Sequence, residues 1–239
     1  MIENFDEFET GVVIGVRFRP YFPIIDSFGK IIDYILNSRP SIFSSRFPAV
    51  GEPSSHERIL VNEDTDDKFT IDITNMIVNI TYKESDGFKK SDLASVINDF
   101  DHIILKGILN ELRITNIHRI GLVKKFTIKD EALVHALLSN ILNKSFSDIN
   151  QIDLQFVKKI LLSSSMVKKS ENNYDNAIVT IKKEAKLDEI YISLDYQRFF
   201  EPNLNSASKI NLHELEDLSN LYIKDNLVSW VNQSSSKED

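Results

Sequence analysis

Apolar residues along this chain change spacing from segment to segment, and each change marks an element. In residues 11–19, Val12, Ile14, Val16 and Phe18 alternate with Val13, Gly15 and Arg17, the period of a strand buried on one face. After Pro20 and Pro23 the period lengthens. Ile24, Ile25, Phe28, Ile31, Ile32, Ile35 and Leu36 form the stripe of an amphipathic helix. Pro40, Pro48, Gly51 and Pro53 make residues 37–55 an irregular passage, tacked to the body by Phe43, Phe47 and Val50. Three short strands are predicted next: over 57–62, around Phe69, Ile71 and Ile73, and from Met76 through Val78 and Ile80 to Tyr82. Ser91 then caps a long helix with the stripe Leu93, Val96, Ile97, Phe100, Ile104, Ile108 and Leu112, in which Gly107 is tolerated.

From residue 117 the order begins again. Ile120-Gly121-Leu122 lies over Ile14-Gly15-Val16, and the helix positions Phe28, Ile31, Ile32, Ile35 and Leu36 fall on Val134, Leu137, Leu138, Ile141 and Leu142. Strands are predicted over 152–162, 177–183 and 189–199, with a polar loop over 163–176. Residues 202–208 break the chain, and Asn211 with Glu214 opens a closing helix that runs to about Val231. The expected fold is therefore α+β, in two pseudo-repeated β-α-β-β-β-α halves, 1–115 and 116–233, with a frayed tail at 234–239. Short connections make the strands antiparallel, and amphipathic helices hide their stripes only by packing on one sheet face. The halves then join edge to edge or face to face.

Composition narrows the functional classes. With 42% hydrophobic and 27% charged residues the chain should fold by itself. The net charge of −8 repels phosphate at long range, so nucleic acid is disfavoured unless a local basic patch overrides it. The lack of cysteine removes disulfides, thiol catalysis and cysteine metal sites, and points to the cytoplasm. The acidic start, with Glu3, Asp6, Glu7 and Glu9, does not read as a signal peptide. No segment approaches the roughly 18 apolar residues that cross a bilayer.

Catalytic motifs are missing. There is no Gly-x4-Gly-Lys loop, no Gly-x-Ser-x-Gly elbow and no His-Glu-x-x-His, and the five histidines are scattered singly. Asp101-His102 falls on the outer side of its helix without a second ligand nearby, so neither metal nor cofactor is expected. Asp188, Glu189 and Asp195 stand near Tyr191, Tyr196 and Arg198, and paired carboxylates can do acid–base work. The simpler reading is a solvent face, because Tyr191, Ser193 and Asp195 lie opposite Ile190, Ile192 and Leu194; no catalytic residue is assigned. Glu63, Asp64, Asp66 and Asp67 read as a solvated turn. The doublets Lys124-Lys125, Lys158-Lys159, Lys168-Lys169 and Lys182-Lys183 send one lysine to each face of a strand, which halves any patch they make. Arg17, Arg119 and Lys125 project from corresponding strands onto the exposed sheet face. Together with Tyr191 and Asp195 they are the candidate binding residues, suited to an acidic partner protein or an anionic ligand.

Several motifs carry a resemblance: Val16-Arg17-Phe18, Arg46-Phe47-Pro48-Ala49-Val50 with Glu52, Asn79, Arg119-Ile120-Gly121-Leu122, Leu194-Asp195, Leu212-His213 and Tyr222. They resemble a sporadically distributed family of uncharacterised prokaryotic proteins of about this length. The chain departs from it at Asn79-Ile80-Thr81, where the family often has Asn-Trp-Arg, and at Val123-Lys124-Lys125-Phe126, where it has Arg-Tyr-Ile-Asn. The element order also resembles the repeats of the TATA-binding protein, a likeness of order from which no DNA function follows. The family's sporadic distribution implies an accessory role in a defence or toxin–antitoxin type locus. The expected function is non-enzymatic protein interaction or self-assembly as a homodimer. One alternative is a small-molecule-binding or enzymatic module, its pocket between sheet and helices lined by residues such as Tyr82, Tyr191 and Arg119. The other is nucleic-acid binding through the second-half lysines.

Overall fold

The period-two segments pair with one another into one antiparallel sheet. The computed structural model describes residues 3, 5–38, 41–47, 49–51, 57–62, 65, 67–82, 93–142, 151–161, 172–183 and 189–232. Its strands are β1 (Glu9–Phe18), β2 (Ala49–Val50), β3 (Glu57–Val61), β4 (Lys68–Asp72), β5 (Asn75–Thr81), β6 (Ile117–Ile128), β7 (Ile152–Leu161), β8 (Tyr174–Lys183) and β9 (Ile190–Leu204). They lie in the order β2-β3-β4-β5-β1-β6-β9-β8-β7. The chain is joined edge to edge where β1 meets β6, with Gly15 opposite Gly121 and Arg17 opposite Arg119. Outward from that seam run β5, β4 and β3 on one side and β9, β8 and β7 on the other.

The helices are α1 (Ile24–Asn37), α2 (Ile42–Arg46), α3 (93–111), α4 (Glu131–Leu142) and α5 (212–232). Their stripes cover one face of the sheet. Val12, Ile14, Val16 and Phe18 of β1, Ile120 and Leu122 of β6 and Ile192 and Leu194 of β9 are buried in one core with Phe28, Ile31, Val96, Leu137 and Leu215. Each such side chain contributes about 1.5–3 kcal/mol by leaving water, so a core continuous across the seam welds both sides into one body. On the other face, alternate residues of the same strands meet no helix.

Some elements differ from the sequence pattern. The passage 37–55 contains α2 and the edge strand β2. Ser41 caps α2, its Oγ accepting from the Phe43 N–H at 3.0 Å, while Asp99 of α3 accepts from the Ile42 N–H at 2.6 Å. β8 begins at Tyr174, inside the predicted loop, because residues 174–176 find partners in β9 at Phe199, Arg198 and Gln197. β9 continues through Pro202 to Leu204. The β8 ladder has ended at Phe199, so on that side the missing proline N–H costs no strand bond. Asp67 is buried and not solvated: it pairs with Arg46 at 2.7 Å and accepts from the Thr81 N–H at 2.8 Å. Glu63, Asp64 and Asp66 lie outside the described residues, as do Glu52, His56, Ser91, Lys168, Lys169, Asp188 and the tail 234–239.

Both long carboxy-terminal helices of the two sides change winding midway. α3 is π-helical over Phe100–Ile108 and α5 over Ile223–Val228. Asp101, four residues after Ile97 and three before Ile104, lies on the buried side of α3, where it pairs with Lys106; the expected outer-face position is corrected accordingly. A Cβ at Gly107 would stand 2.9 Å from the Tyr34 hydroxyl oxygen of α1 and 3.0 Å from the His102 carbonyl oxygen, so a larger residue there must push the exposed Tyr34 side chain aside. Among the described residues no helix is long and apolar enough to cross a membrane.

Candidate functional site

On the helix-free face β1 presents Val13, Gly15 and Arg17, β6 presents Arg119, Gly121, Val123 and Lys125, and β9 presents Tyr191, Ser193, Asp195, Gln197 and Phe199. The register puts the two glycines directly opposite each other. Two adjacent missing side chains open a cleft of about 280 Å³. Val13 and Val123 close one end, Arg17 and Arg119 the other, with Ile77 along one side and Asp195 and Gln197 along the other. Parity along each strand is what aims these groups at one face, and pairing is what aligns them.

The cleft carries excess positive charge. Arg119 donates through Nη1 to Gln197 Oε1 at 3.0 Å and stands 5.6 Å over the Phe199 ring. Gln197 in turn donates to Asp195. The Arg17 and Arg19 side chains make no hydrogen bond or ion pair with a described residue. Like charges directly opposite across a strand pair repel, so Arg17 beside Arg119 is an unfavourable arrangement in the free protein. Burial, and then Arg17, lower the Arg119 pKa, although a guanidinium stays charged throughout the physiological range. Burial raises the Asp195 pKa against the opposing pulls of Gln197 and Arg119. At the arginine end, His118 is held below the usual imidazole range by burial and by Arg17, Arg119 and Arg19, so it adds no charge at pH 7.

Lys125 and Tyr191 belong to a neighbouring cavity on the same face, of about 400 Å³, with Thr127, Thr180 and Lys182. Lys125 donates to Asn79 at 2.9 Å, and burial lowers its pKa. The Tyr191 hydroxyl donates to Glu189. Of the five residues singled out from sequence, Arg17, Arg119 and Asp195 therefore share one cleft, and Lys125 and Tyr191 share the next. Tyr82, Tyr191 and Arg119 do not converge on a pocket between sheet and helices; the Tyr82 hydroxyl meets Glu9 at 3.5 Å.

No protein family model matches the chain, and no curated protein is similar to it.

A second row crosses the open face beside the cleft. Phe199 and Tyr174 stack at 4.9 Å, Arg119 covers the first ring and Lys159 lies 3.7 Å from the centre of the second. Cations occupy the outer faces of this aromatic pair, which leaves little for a nucleobase to stack on. Among the described residues no three His, Asp or Glu gather as a metal site. On the helix side, Asp175 accepts from Arg198 Nε at 2.8 Å, from Nη2 at 3.0 Å and from the Tyr196 hydroxyl at 3.1 Å, while Glu214 takes Nη1 at 2.8 Å. This carboxylate is saturated by donors, which makes it a brace between β8, β9 and α5.

Gln197 and the glycine floor escaped the sequence reading. Gly15 and Gly121 were matched along the chain, but facing each other is a property of register. Lys124 left a usable signal: it shares parity with Leu122 and Phe126, so an apolar face contains a lysine.

Proposed function

We propose that this protein is a non-enzymatic binding module that receives an acidic segment of a partner protein across its open sheet face. A partner carboxylate enters between Arg17 and Arg119, over the glycine floor. The observation that carries this reading is the cross-paired Gly15 and Gly121 beside two facing arginines with one carboxylate in reach, Asp195. An incoming anion relieves the repulsion between the arginines, and the net charge of −8 turns acidic partners away elsewhere, which favours one docking place. No lining group is both free to move a proton and placed beside a nucleophile, so binding fits better than catalysis.

The test is fluorescence anisotropy with a labelled alternating Glu-Ala decapeptide. Wild type should bind it with affinity that falls with salt, and Arg17→Glu with Arg119→Glu should weaken it at least tenfold. Equal binding by the double variant sinks the proposal. Tighter, arginine-dependent binding of a single-stranded oligonucleotide would replace it with the nucleic-acid reading. Native mass spectrometry of protein purified from its own cell would then identify the partner.

Self-assembly as a homodimer has its own support. β7 holds one edge of the sheet over Ile152–Leu161, and Val157 and Leu161 are 62% and 76% exposed. Exposed edges of this kind pair with other strands. Antiparallel pairing of two copies about Phe156 sets Lys159 opposite Asp153 twice, Asp153 being held in the single chain by Lys182 at 3.2 Å. Sedimentation that shows only monomer at high concentration would dispose of this arrangement.

The wider setting follows the same reading. The strand order on either side of the seam supports descent from one duplicated β-α-β-β-β-α unit, and the motif resemblance supports membership of the sporadic prokaryotic family. A cysteine-free chain suits the cytoplasm, and a sporadic gene suits a defence or toxin–antitoxin type locus. A stable metabolic gene neighbourhood would count against that locus.

A further inference from the structure

The arginine cleft differs from one end to the other, and an acid alone uses only one of them. Pairing across the seam sets Arg17 beside Arg119, Gly15 beside Gly121 and Val13 beside Val123, in that order along the strands. The charged groups of the lining are Arg17, Arg119 and Asp195, so the wall carries one positive charge in excess. On β9, Asp195 pairs with Val123 and brings Oδ1 to 3.7 Å from where a Cβ would stand at Gly121. A second carboxylate laid on the glycine floor is therefore repelled, and the acid is directed to the arginines. Carbon borders the same floor. Ile77 Cγ1 lies 3.2 Å from the Cβ position at Gly15 and Gln197 Cγ 3.6 Å from that at Gly121, with Val13 and Val123 at the far end. Gln197 donates to Asp195, so that carboxylate keeps a partner when an aliphatic group covers it. The arginines stand two residues from the glycines, about 7 Å along an antiparallel strand. In an extended segment, residues two apart share a face and have that same separation.

We infer that the partner segment docks in extended form and presents an acidic and an aliphatic side chain two residues apart, the carboxylate between Arg17 and Arg119 and the aliphatic group on the glycine floor against Ile77, Val13 and Val123. This rests on the acidic-segment reading and specifies what must stand beside the acid. The arginines select charge, and the floor selects shape: two missing side chains in register leave room for one incoming branched group, and its burial adds affinity that an acid by itself does not have. Adjacent acidic and aliphatic residues do not suffice, because in an extended chain they point to opposite faces.

The test is displacement of the labelled Glu-Ala decapeptide from the full chain by two capped pentapeptides of one composition, Leu-Ala-Glu-Ala-Leu and Ala-Leu-Glu-Leu-Ala. Both read alike in either chain direction, and only the spacing of leucine from glutamate differs. The first should displace the decapeptide at a concentration at least fivefold lower, as expected when a leucine side chain is partly buried. Val13→Thr with Val123→Thr keeps branched residues in both strands and should cut that advantage to about twofold or less, again on the scale of the apolar area removed. Equal displacement by the two isomers in wild type overturns the inference, whether or not the double variant folds. Displacement by Lys-Ala-Glu-Ala-Lys as strong as by Leu-Ala-Glu-Ala-Leu also overturns it, since the floor would then serve a cation held by Asp195. In either case a decapeptide that still binds through the arginines leaves the acidic-segment reading standing. A decapeptide that does not bind at all removes both.

Discussion

Gly121→Ala separates what the glycine floor does for binding from what it does for folding. A Cβ built at Gly121 meets Gln197 Cγ at 3.6 Å, Asp195 Oδ1 at 3.7 Å and the Tyr196 carbonyl oxygen at 3.8 Å, all ordinary contacts. Nothing in the packing therefore demands glycine, and its unfolded-state freedom should make the wild type less stable than alanine by about 0.5–1 kcal/mol. For a chain of this size that corresponds to a rise in melting temperature of about 1–4 °C for Gly121→Ala. Gly11→Ala is the contrast. Its Cβ would stand 2.7 Å from the Ile80 carbonyl oxygen, so the backbone must shift, at a cost of about 1–3 kcal/mol. Melts followed by circular dichroism and urea midpoints measure both. Gly121→Val, which fills the cleft further, should reduce binding of the Glu-Ala peptide at least tenfold while the sheet stays folded. A Gly121→Ala protein that melts measurably below wild type would refute the packing argument, since relief of the glycine's unfolded-state freedom can only raise stability. Unchanged peptide binding by Gly121→Val would refute the cleft as the docking place.

Asp195→Asn should strengthen peptide binding about three- to fivefold, as removing one opposing charge at a partly exposed site contributes up to about 1 kcal/mol. Because burial raises the Asp195 pKa, the carboxyl form is favoured in the folded state below the usual carboxylate range, and that stability is lost as pH rises through the folded pKa. The stability of Asp195→Asn relative to wild type should accordingly grow as pH rises from acid toward neutral, as read from urea midpoints. Asp175→Asn strips the charge that faces buried Arg198 and should cost about 3 kcal/mol or more, seen as a large fall in urea midpoint. Burial and Asp175 together raise the Tyr196 pKa, so the stability its phenol contributes is complete below about pH 10 and lost as pH climbs above it. Tyr196→Phe should flatten the alkaline part of the stability profile; an unchanged slope would show that Tyr196 does not titrate on unfolding there.

Much of this protein was legible along the chain. Alternation in Val12 to Phe18 and in Ile190 to Asp195 told which face of each strand would be buried, because neighbouring side chains on a strand point opposite ways whatever the strand pairs with. The same rule put Arg17, Arg119, Lys125, Tyr191 and Asp195 on the open face. It misplaced what local spacing does not control. Asp101 lies inside, paired with Lys106 along the π-helical stretch, and residues 174–176 became strand because β9 was there to pair with. Asp67 left solvent for Arg46, which lies far from it along the chain but beside it in the fold.

Sequence alone determined the long strands and helices and which face of each is apolar, since these follow from local stereochemistry and side-chain identity. Only the tertiary structure decided that β1 would lie against β6 with Gly15 opposite Gly121, that Arg119 would find Gln197, and that Lys124 would stand in a cavity beneath α5. Neighbours and register are set by the packing of the whole core, where a shift of two residues keeps every face and changes every contact.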